Sequence, residues 1–160
     1  MNLQAVKANN RRRAFEVATA RGDFLFPYAV CDTPPSSADP IVKVFIDDEL
    51  GGDAFTFVLA SGAEDSVHVD FVFDYNEEPV YMRDMLLYRL TLEAQDALAR
   101  STLSKREIIR RLRTSPAQFY RLLDQTNYRK SIDKMLALLQ VLDCEVDLIV
   151  RSKTQAGTGG

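Results

Sequence analysis

The sequence of 160 residues has only two cysteines and one histidine, and these low counts exclude several kinds of site. Cys31 and Cys144 lie far apart and in no metal-ligand spacing, so neither a disulfide framework nor a zinc site is predicted. His68 cannot be combined with either cysteine, or with a serine and an acid, into an arrangement for nucleophilic catalysis. We therefore predict that the protein is not an enzyme and uses no metal and no cofactor.

Long apolar runs are also missing. No run approaches the roughly 20 residues needed to span a bilayer, and no secretory signal pattern precedes the first predicted strand. Gly51-Gly52 lacks the Lys-Ser/Thr that follows in a phosphate-binding loop. Four acidic residues flank that turn, namely Asp47, Asp48, Glu49 and Asp53. Their spacing fits no metal-binding loop, so a solvated loop is expected there. A cytoplasmic protein without a membrane partner is predicted.

The formal net charge of -3 hides a strong asymmetry along the chain. Between Ala99 and Lys134, ten basic residues stand against three acidic ones, a local net charge of +7. Between Ala14 and Leu90, four basic residues stand against fifteen acidic ones, a local net charge of −11. Because phosphate binding requires a local positive field, a nucleic-acid partner is predicted for the C-terminal part alone. The acidic N-terminal part is expected to face away from DNA and could engage a protein partner.

The N-terminal half is predicted to be a flexible arm followed by a β-rich module. Residues 1–13 are polar and end in Arg11-Arg12-Arg13, which could reach a nucleic-acid groove or remain a solvated terminus. Residues 14–78 hold short apolar runs between turn sequences, and residues 66–73 alternate apolar and polar side chains as a strand does. About five antiparallel strands in one small sheet are predicted, over residues 15–19, 24–28, 41–46, 55–60 and 66–73.

Residues 79–151 are predicted to form a helical domain that begins with a long bridging helix over residues 79–100. Apolar residues recur there at helical spacing: Met82, Leu86, Leu90, Ala94 and Ala97. A helix of about 30 Å could pack its first half on the sheet and its second half under the helices that follow. Ser131 is expected to cap a last helix, residues 146–150 to form a terminal strand, and residues 152–160 a flexible tail.

Two helix starts lie eleven residues apart in the middle of the basic region. Ser104 and Ser115 are each followed three positions later by Glu107 or Gln118, the pattern of a capping box. Pro116 suits the first position of the second helix. Two short helices joined by a tight turn are therefore predicted. The second helix would have an apolar face formed by Phe119, Leu122 and Leu123 and a polar face formed by Gln118, Tyr120 and Arg121.

Residues 104–150 resemble the lambda-repressor or Cro-like, Xre-type helix-turn-helix family, especially its antitoxin-like branch; with the preceding helix the resemblance extends over residues 80–150. The features that carry it are the two capped helices, the run Arg121-Leu-Leu123, the basic loop Tyr128-Arg-Lys130, the Ser-capped helix and the terminal apolar segment. The resemblance implies a C-terminal all-α DNA-binding domain, while residues 1–78 resemble no recognised family. Together with the small N-terminal antiparallel sheet predicted above from the strand pattern, the fold class expected is α+β. In that family the second helix of the motif enters the DNA major groove.

The resemblance also implies which residues contact DNA. Base-reading positions fall on Ala117, Gln118 and Arg121, of which Arg and Gln can bridge guanine and adenine respectively, while Ala can meet a thymine methyl. From the residues alone, Arg121 could instead form an ion pair with Asp124 or Glu107, and Gln118 could simply complete its helix cap. Phosphate-binding positions fall on five residues: Lys105, Ser115, Tyr120, Arg129 and Lys130.

These features predict a sequence-specific double-stranded DNA-binding protein, a transcriptional repressor that uses residues 115–124 as its recognition helix. A homodimer is expected, formed through the terminal strand or the end of the last helix, because one such helix reads only a few base pairs. The alternative is an antitoxin-like or adaptor protein-interaction module with little DNA binding. Ile109 and Arg113 favour that alternative, since the family usually has a small residue and a left-handed Gly at these positions. Pro116 and Ala117 favour it too, because neither side chain offers a hydrogen-bond donor where the family reads bases.

Overall fold

The structure is a computed structural model that describes residues 2–153. The fold is mixed α+β, with two small antiparallel sheets and five α-helices in the described chain. The chain divides into two compact units, the first ending at Arg83 and the second beginning at Asp84. Within residues 2–153 there is no helix long and apolar enough to cross a membrane.

The first sheet contains three consecutive strands, β1 (Leu3–Asn9), β2 (Ala14–Thr19) and β3 (Gly22–Pro27). β1 pairs with β2 over its whole length, for example Val6 with Val17, and the side chain of Leu3 is buried. The prediction of a flexible arm over residues 1–13 was therefore wrong where the structure describes it. The run Arg11-Arg12-Arg13 lies in the turn of the β-hairpin formed by β1 and β2. The strand β1 was not predicted because a strand that pairs with only one neighbour needs few large apolar residues.

A second three-stranded sheet follows, formed by β4 (Ile41–Ile46), β5 (Ala54–Leu59) and β6 (Glu64–His68). One sheet was predicted, and the structure has two, although four of the five predicted strands lie within a residue or two of observed ones. The two sheets share a core, in which the ring centroid of Phe15 on β2 lies 4.9 Å from Phe55 and 5.0 Å from Phe57 on β5. Each sheet thus buries its apolar face against the other.

The helix α1 (Val69–Tyr75) occupies most of the segment that was predicted as the fifth strand. The nitrogen Nδ1 of His68 accepts a hydrogen bond from the backbone N–H of Asp70 at 3.1 Å and so caps the helix. Alternation predicted that Phe71 would be buried, but it is 65% exposed, while Val72 and Phe73 are buried in the core. Apolar residues at positions 69, 72 and 73 fit helical spacing equally well, which is why the strand prediction failed beyond residue 68.

An ion pair between the buried carboxylate of Glu78 and the partly exposed guanidinium of Arg21 lies where the next helix begins, α2 (Pro79–Arg100). The carboxylate of Glu78 accepts hydrogen bonds from the backbone N–H groups of Val80 at 3.1 Å and Tyr81 at 2.7 Å, which leaves no need for a Ser or Thr cap. It also accepts one from Nη1 of Arg21 at 3.0 Å. The guanidinium of Arg21 lies 4.7 Å from the ring centroid of Phe73. The pair joins the start of α2 to the turn between β2 and β3.

The only regular secondary structure in the described part of the second unit is helical. It consists of the remainder of α2, α3 (Lys105–Leu112), α4 (Pro116–Leu123) and α5 (Ile132–Val141). The core of the unit is formed by one residue or more from each helix: Leu87, Ala94, Ala97, Ile108, Phe119, Leu122, Met135, Leu138, Leu139 and Leu142. The apolar stripe predicted along α2 is correct from Leu90 onward, since Leu90 packs partly buried against this core and Ala94 and Ala97 are buried, but Met82 and Leu86 are exposed. Ile109 is half-buried against the same core.

The chain after α5 does not form the predicted terminal strand. Asp143 adopts a left-handed conformation with φ 62°, and the backbone N–H of Cys144 donates to Leu139 O at 2.9 Å, which ends the helix. Residues 145–153 then have no regular secondary structure and are exposed. A strand is stable only when its backbone groups pair with a neighbour, and no described strand lies beside this segment. Most of the predicted tail, residues 154–160, lies outside the described residues.

Candidate nucleic-acid interface

The helices α3 and α4 are joined by the turn Arg113 to Ser115, and each begins with a serine cap. Oγ of Ser104 accepts a hydrogen bond from Glu107 N at 3.1 Å, and Oγ of Ser115 accepts one from Gln118 N at 3.2 Å. Arg113, the residue that follows α3 and caps its end, has a left-handed backbone with φ 53° and ψ 46°. A side chain in this conformation costs about 1 kcal/mol relative to glycine. Arg113 therefore adopts the left-handed conformation in which glycine is most often found.

The side chain of Glu107 pairs with basic residues of its own helix. Its carboxylate accepts hydrogen bonds from Arg110 and from Nε of Arg111 at 3.0 Å. These hydrogen bonds lower the pKa of Glu107 to about 2. Two of the ten positive charges in the basic region are therefore partly neutralised within the protein, and Glu107 is not available to bind Arg121.

The two faces of α4 differ as the apolar spacing predicted. Phe119 is fully buried and Leu122 is 7% exposed, so this face packs into the core of the second unit. Ala117, Gln118 and Arg121 are exposed on the opposite face. Since residues three and four positions apart are neighbours on a helix surface, these three side chains form one contiguous patch.

The polar groups of that patch have no partner within the described chain. The backbone N–H of Gln118 is capped by Ser115, but its side-chain amide makes no hydrogen bond among residues 2–153. Arg121 forms no ion pair there either, since Asp124 accepts instead from N and Oγ1 of Thr126, at 2.9 and 2.7 Å. An amide and a guanidinium are therefore presented together to solvent on one helix face.

Lys105 and Tyr120, two of the predicted phosphate-binding residues, lie side by side. The ammonium of Lys105 is 5.8 Å from the ring centroid of Tyr120, and the tyrosine is 53% exposed. The Tyr120 ring also packs at 5.4 Å against Phe119. The first helical residue of α3 thus contributes a positive charge beside an exposed phenol of α4. Oγ of Ser115 accepts the capping bond from Gln118 N, and its O–H remains a donor that could bind a phosphate.

A surface groove adjoins the exposed patch of α4. It has a volume of about 690 Å³, and its lining includes Gln118, Arg121, Asn127, Arg129 and Lys134. The structure therefore brings Gln118 and Arg121 together with Arg129, which follows them in the loop. Lys134 on α5 was counted in the basic region but was not predicted as part of a site.

Asn127 was also missed, and its contacts explain how the loop is held. Its Nδ2 donates to Arg121 O at 3.2 Å, and its Oδ1 accepts from Arg129 N at 3.0 Å. The residue thereby fixes the backbone of Arg129 relative to the end of α4. An Asn shortly after a helix is a common turn residue, so its sequence position alone gave no sign of this role.

Lys130 does not occupy the phosphate-binding position predicted for it. The residue is buried, and its ammonium donates to Leu122 O at 2.9 Å and to Asp124 O at 2.8 Å. Burial lowers the pKa of Lys130 despite the nearby carboxylate of Asp124. The reason is that the last carbonyls of α4 need donors, and a lysine that follows the loop can reach them. The ammonium of Lys130 therefore stabilises the end of α4.

Replacing Lys130 by Met should test this assignment. We expect the free energy of unfolding to fall by about 1–3 kcal/mol, because two carbonyls at the end of α4 lose their donor while the aliphatic stem is kept. Denaturant unfolding followed by circular dichroism measures the change. Arg129→Met is the matched control, since Arg129 is exposed and should change stability by less than about 0.5 kcal/mol. Equal losses in the two variants would contradict the capping role.

Outside the basic region, the acidic residues near the Gly51-Gly52 turn are engaged in the fold. Asp47 accepts from Thr56 Oγ1 at 2.7 Å, and Asp53 accepts from Asn2 N at 2.7 Å. No group of three or more possible metal ligands occurs within residues 2–153. Burial, together with nearby carboxylates, raises the pKa of Cys31 to about 12, so its thiol stays protonated at neutral pH.

Comparison of the chain with protein-family models, with curated proteins and with solved structures found no match.

Proposed function

We propose that the protein binds double-stranded DNA sequence-specifically through α4, and that it acts as a transcriptional repressor. In this proposal α3 and α4 form a helix-turn-helix of the lambda-repressor-like type, and α4 lies in the major groove. A major groove about 12 Å wide admits one α-helix, whose exposed side chains then reach the base edges. The proposal is supported by the short turn between the two serine-capped helices and by the exposed polar face of α4.

The observation that carries the proposal is that two polar side chains, those of Gln118 and Arg121, lie exposed next to each other on the face of α4 opposite the buried Phe119 and Leu122. Here Arg121 and Gln118 stand together on a helix that is fixed at both ends, by Ser115 at its start and by Lys130 at its end. Side chains held on a rigid element are what base readout requires, because hydrogen bonds to base edges tolerate little misplacement.

The surrounding charges support a role in binding the DNA backbone. Lys105 lies at the start of α3 beside Tyr120 of α4, while Arg129 and Lys134 line the groove beside α4. Lys or Arg in these places can neutralise phosphates and fix the register of the helix on the duplex. We assign phosphate binding to five residues and base reading to Ala117, Gln118 and Arg121. The five are Lys105, Ser115, Tyr120, Arg129 and Lys134.

Salt dependence of duplex binding tests the proposed phosphate contacts. Replacing Lys105 or Arg129 by Ala should weaken binding to all duplexes alike and reduce the slope of log K against log salt by about one unit each. Lys43→Ala, on β4 of the acidic unit, is the control and should leave the slope unchanged. Fluorescence anisotropy from about 50 to 200 mM salt measures these slopes. Unchanged slopes in both test variants would remove the phosphate surface.

Arg121→Ala tests base readout. On an operator selected from a random duplex library we expect a loss of about 1–3 kcal/mol, and little loss on random DNA, because a base contact disappears while phosphate contacts remain. Arg121→Lys keeps the positive charge but removes the planar guanidinium with its paired donors. It should therefore lose the preference for the operator over random DNA to a similar extent. If the Ala variant loses equally on both DNAs while the Lys variant behaves as wild type, Arg121 contacts the backbone.

A chain that shows no salt-dependent retention on any duplex would instead support the alternative, an antitoxin-like or adaptor protein-interaction module. The acidic first unit would then be expected to bind a protein partner, since it contains most of the excess negative charge.

A further inference from the structure

We propose that a cavity in the first unit binds a small, flat molecule that carries a single carboxylate, such as an aromatic monocarboxylate. The cavity lies between the turn that joins β1 to β2 and the loop that precedes β4, and it has a volume of about 520 Å³. Ligand sites in proteins typically have volumes of about 300–1,000 Å³. Every lining residue belongs to the first unit, so the inference goes beyond the proposed DNA binding and does not depend on it.

Arg13 is the only charged residue among those that line the cavity. The remaining lining residues are uncharged, and they include Asn10, Ser36 and Ser37. Among residues 2–153 the Arg13 side chain makes no ion pair, even though this unit holds most of the acidic residues. A guanidinium presents paired N–H donors that match the two oxygens of a carboxylate. A monocarboxylate would neutralise Arg13, whereas a dianion would add negative charge to a unit that is already acidic.

The turn that carries Arg13 is fixed at both ends. The backbone N–H of Tyr28 donates to Arg13 O at 2.9 Å, and the Tyr28 hydroxyl donates to Oδ1 of Asn10 at 2.8 Å. Nδ2 of Asn10 makes no hydrogen bond among residues 2–153, so it can donate to a ligand beside Arg13. Arg13 itself has φ 51°, a left-handed conformation that glycine adopts more readily. Because the turn is already ordered, a ligand would lose little binding free energy to ordering it.

The rest of the cavity is apolar and is also held in place. Five residues contribute rings or aliphatic groups to the lining: Tyr28, Ala29, Pro35, Pro40 and Ile41. The carboxylate of Asp39, in the same loop as the two prolines, accepts hydrogen bonds from Ser61 N at 2.8 Å and from Ser61 Oγ at 2.7 Å. These bonds anchor the loop beside the end of β5. Because proline rings cannot change rotamer, this wall offers a fixed surface to a flat apolar body.

The two parts of the cavity require two parts of the ligand. An ion pair with an exposed arginine is weak by itself, because water screens both charges. Burial of an apolar body against the prolines is therefore needed for measurable affinity, since that contribution grows with the area removed from water. A carboxylate without an apolar body should bind poorly, and so should the same apolar body with an uncharged amide in place of the carboxylate.

Isothermal titration calorimetry of the full chain without DNA tests the site, with 2-naphthoate as the probe. We expect a Kd of about 1 mM or below, binding of 2-naphthamide that is about fivefold weaker or more, and no detectable binding of acetate. Arg13→Asn should raise the Kd for 2-naphthoate about fivefold or more, since Asn tolerates the left-handed conformation but lacks the guanidinium. Arg11→Asn, in the same turn but outside the cavity lining, is the matched control and should leave the Kd unchanged.

Two tryptophan variants test the location of the bound probe. Ala29→Trp places a large side chain in the cavity and should abolish 2-naphthoate binding. Val30→Trp, at the next position and outside the lining, should leave it unchanged, and circular dichroism checks that both variants are folded. Undetectable binding to the wild type, equal binding of the amide, or an unchanged Kd in Arg13→Asn or in folded Ala29→Trp would overturn the proposal. Since no DNA is present, such a failure leaves the DNA-binding proposal to its own tests.

Discussion

Replacing Phe119 by Ala should destabilise the helical unit by about 3–5 kcal/mol, the largest effect that we expect from a single substitution in this chain. Phe119 is fully buried, and it is the residue through which α4 reaches the centre of that core. A unit of this size has only a few kcal/mol of net stability, so the variant should be largely unfolded near 37 °C. Thermal and denaturant unfolding followed by circular dichroism measures the loss.

Tyr120→Ala is the matched control for Phe119→Ala, because it removes a ring of similar size from the next position of the same helix. Tyr120 is 53% exposed and packs on Phe119 at 5.4 Å, so we expect a stability loss of about 1 kcal/mol or less. On DNA the two variants should differ as well. Phe119→Ala should lose all duplex binding with its fold, whereas Tyr120→Ala should stay folded and bind somewhat more weakly. A larger stability loss for Tyr120→Ala would mean that α4 presents a different face.

The helices of the second unit could be predicted because several local signals agreed at each boundary. Ser104 and Ser115 cap the helices that they were predicted to cap, and Pro116 occupies the first position of α4. Pro79 begins α2, which ends at Arg100 as predicted. Capping and periodicity act within one turn, so a sequence records them directly. Ser131 is a partial exception, since it stands at the cap position of α5 but its hydroxyl makes no capping hydrogen bond.

The first unit was harder to predict because its strands are defined by partners that lie far away in the sequence. β1 contains one large buried apolar residue, Leu3, and it is a strand because β2 pairs with it. The division into two sheets likewise depends on which strands pair, and no local pattern records that choice. The need for a pairing partner also explains residues 145–153, whose strand-like composition does not form a strand because no described strand pairs with them.

The candidate site was predicted in part. Exposure of Ala117, Gln118 and Arg121 followed from the burial of Phe119 and Leu122, a matter of helical spacing alone. The role of Lys130 could not be deduced in this way. A lysine in a basic loop resembles its neighbours in sequence, and only the three-dimensional path of the loop shows that it points at the carbonyls of Leu122 and Asp124.

The ion pair between Arg21 and the buried Glu78 leads to the second large effect. Glu78 is 6% exposed, and its carboxylate accepts three hydrogen bonds, two from the start of α2 and one from Arg21. Burial alone would raise the pKa of this carboxyl group, but the N–H groups of Tyr81 and Val80, and then Arg21, outweigh it and lower the pKa. Glu78→Gln should therefore reduce the free energy of unfolding by about 2–4 kcal/mol at pH 7, since it removes the charge that these donors face.

The pH dependence of the Glu78→Gln effect follows from the direction of that pKa shift. A carboxyl group whose pKa is lower in the folded state contributes its full stability above its ordinary pKa of 4.5 and loses it as the pH falls through the lowered value. Wild-type stability should therefore fall below pH 4.5, and the difference between wild type and Glu78→Gln should narrow over the same range. Asp74→Asn, an exposed carboxyl on α1, is the control and should give a small difference at every pH. Urea unfolding at intervals from pH 7 to pH 3 measures both differences. A Glu78→Gln difference that stays constant below pH 4.5 would show that the cap and the ion pair do not depend on the ionised carboxylate.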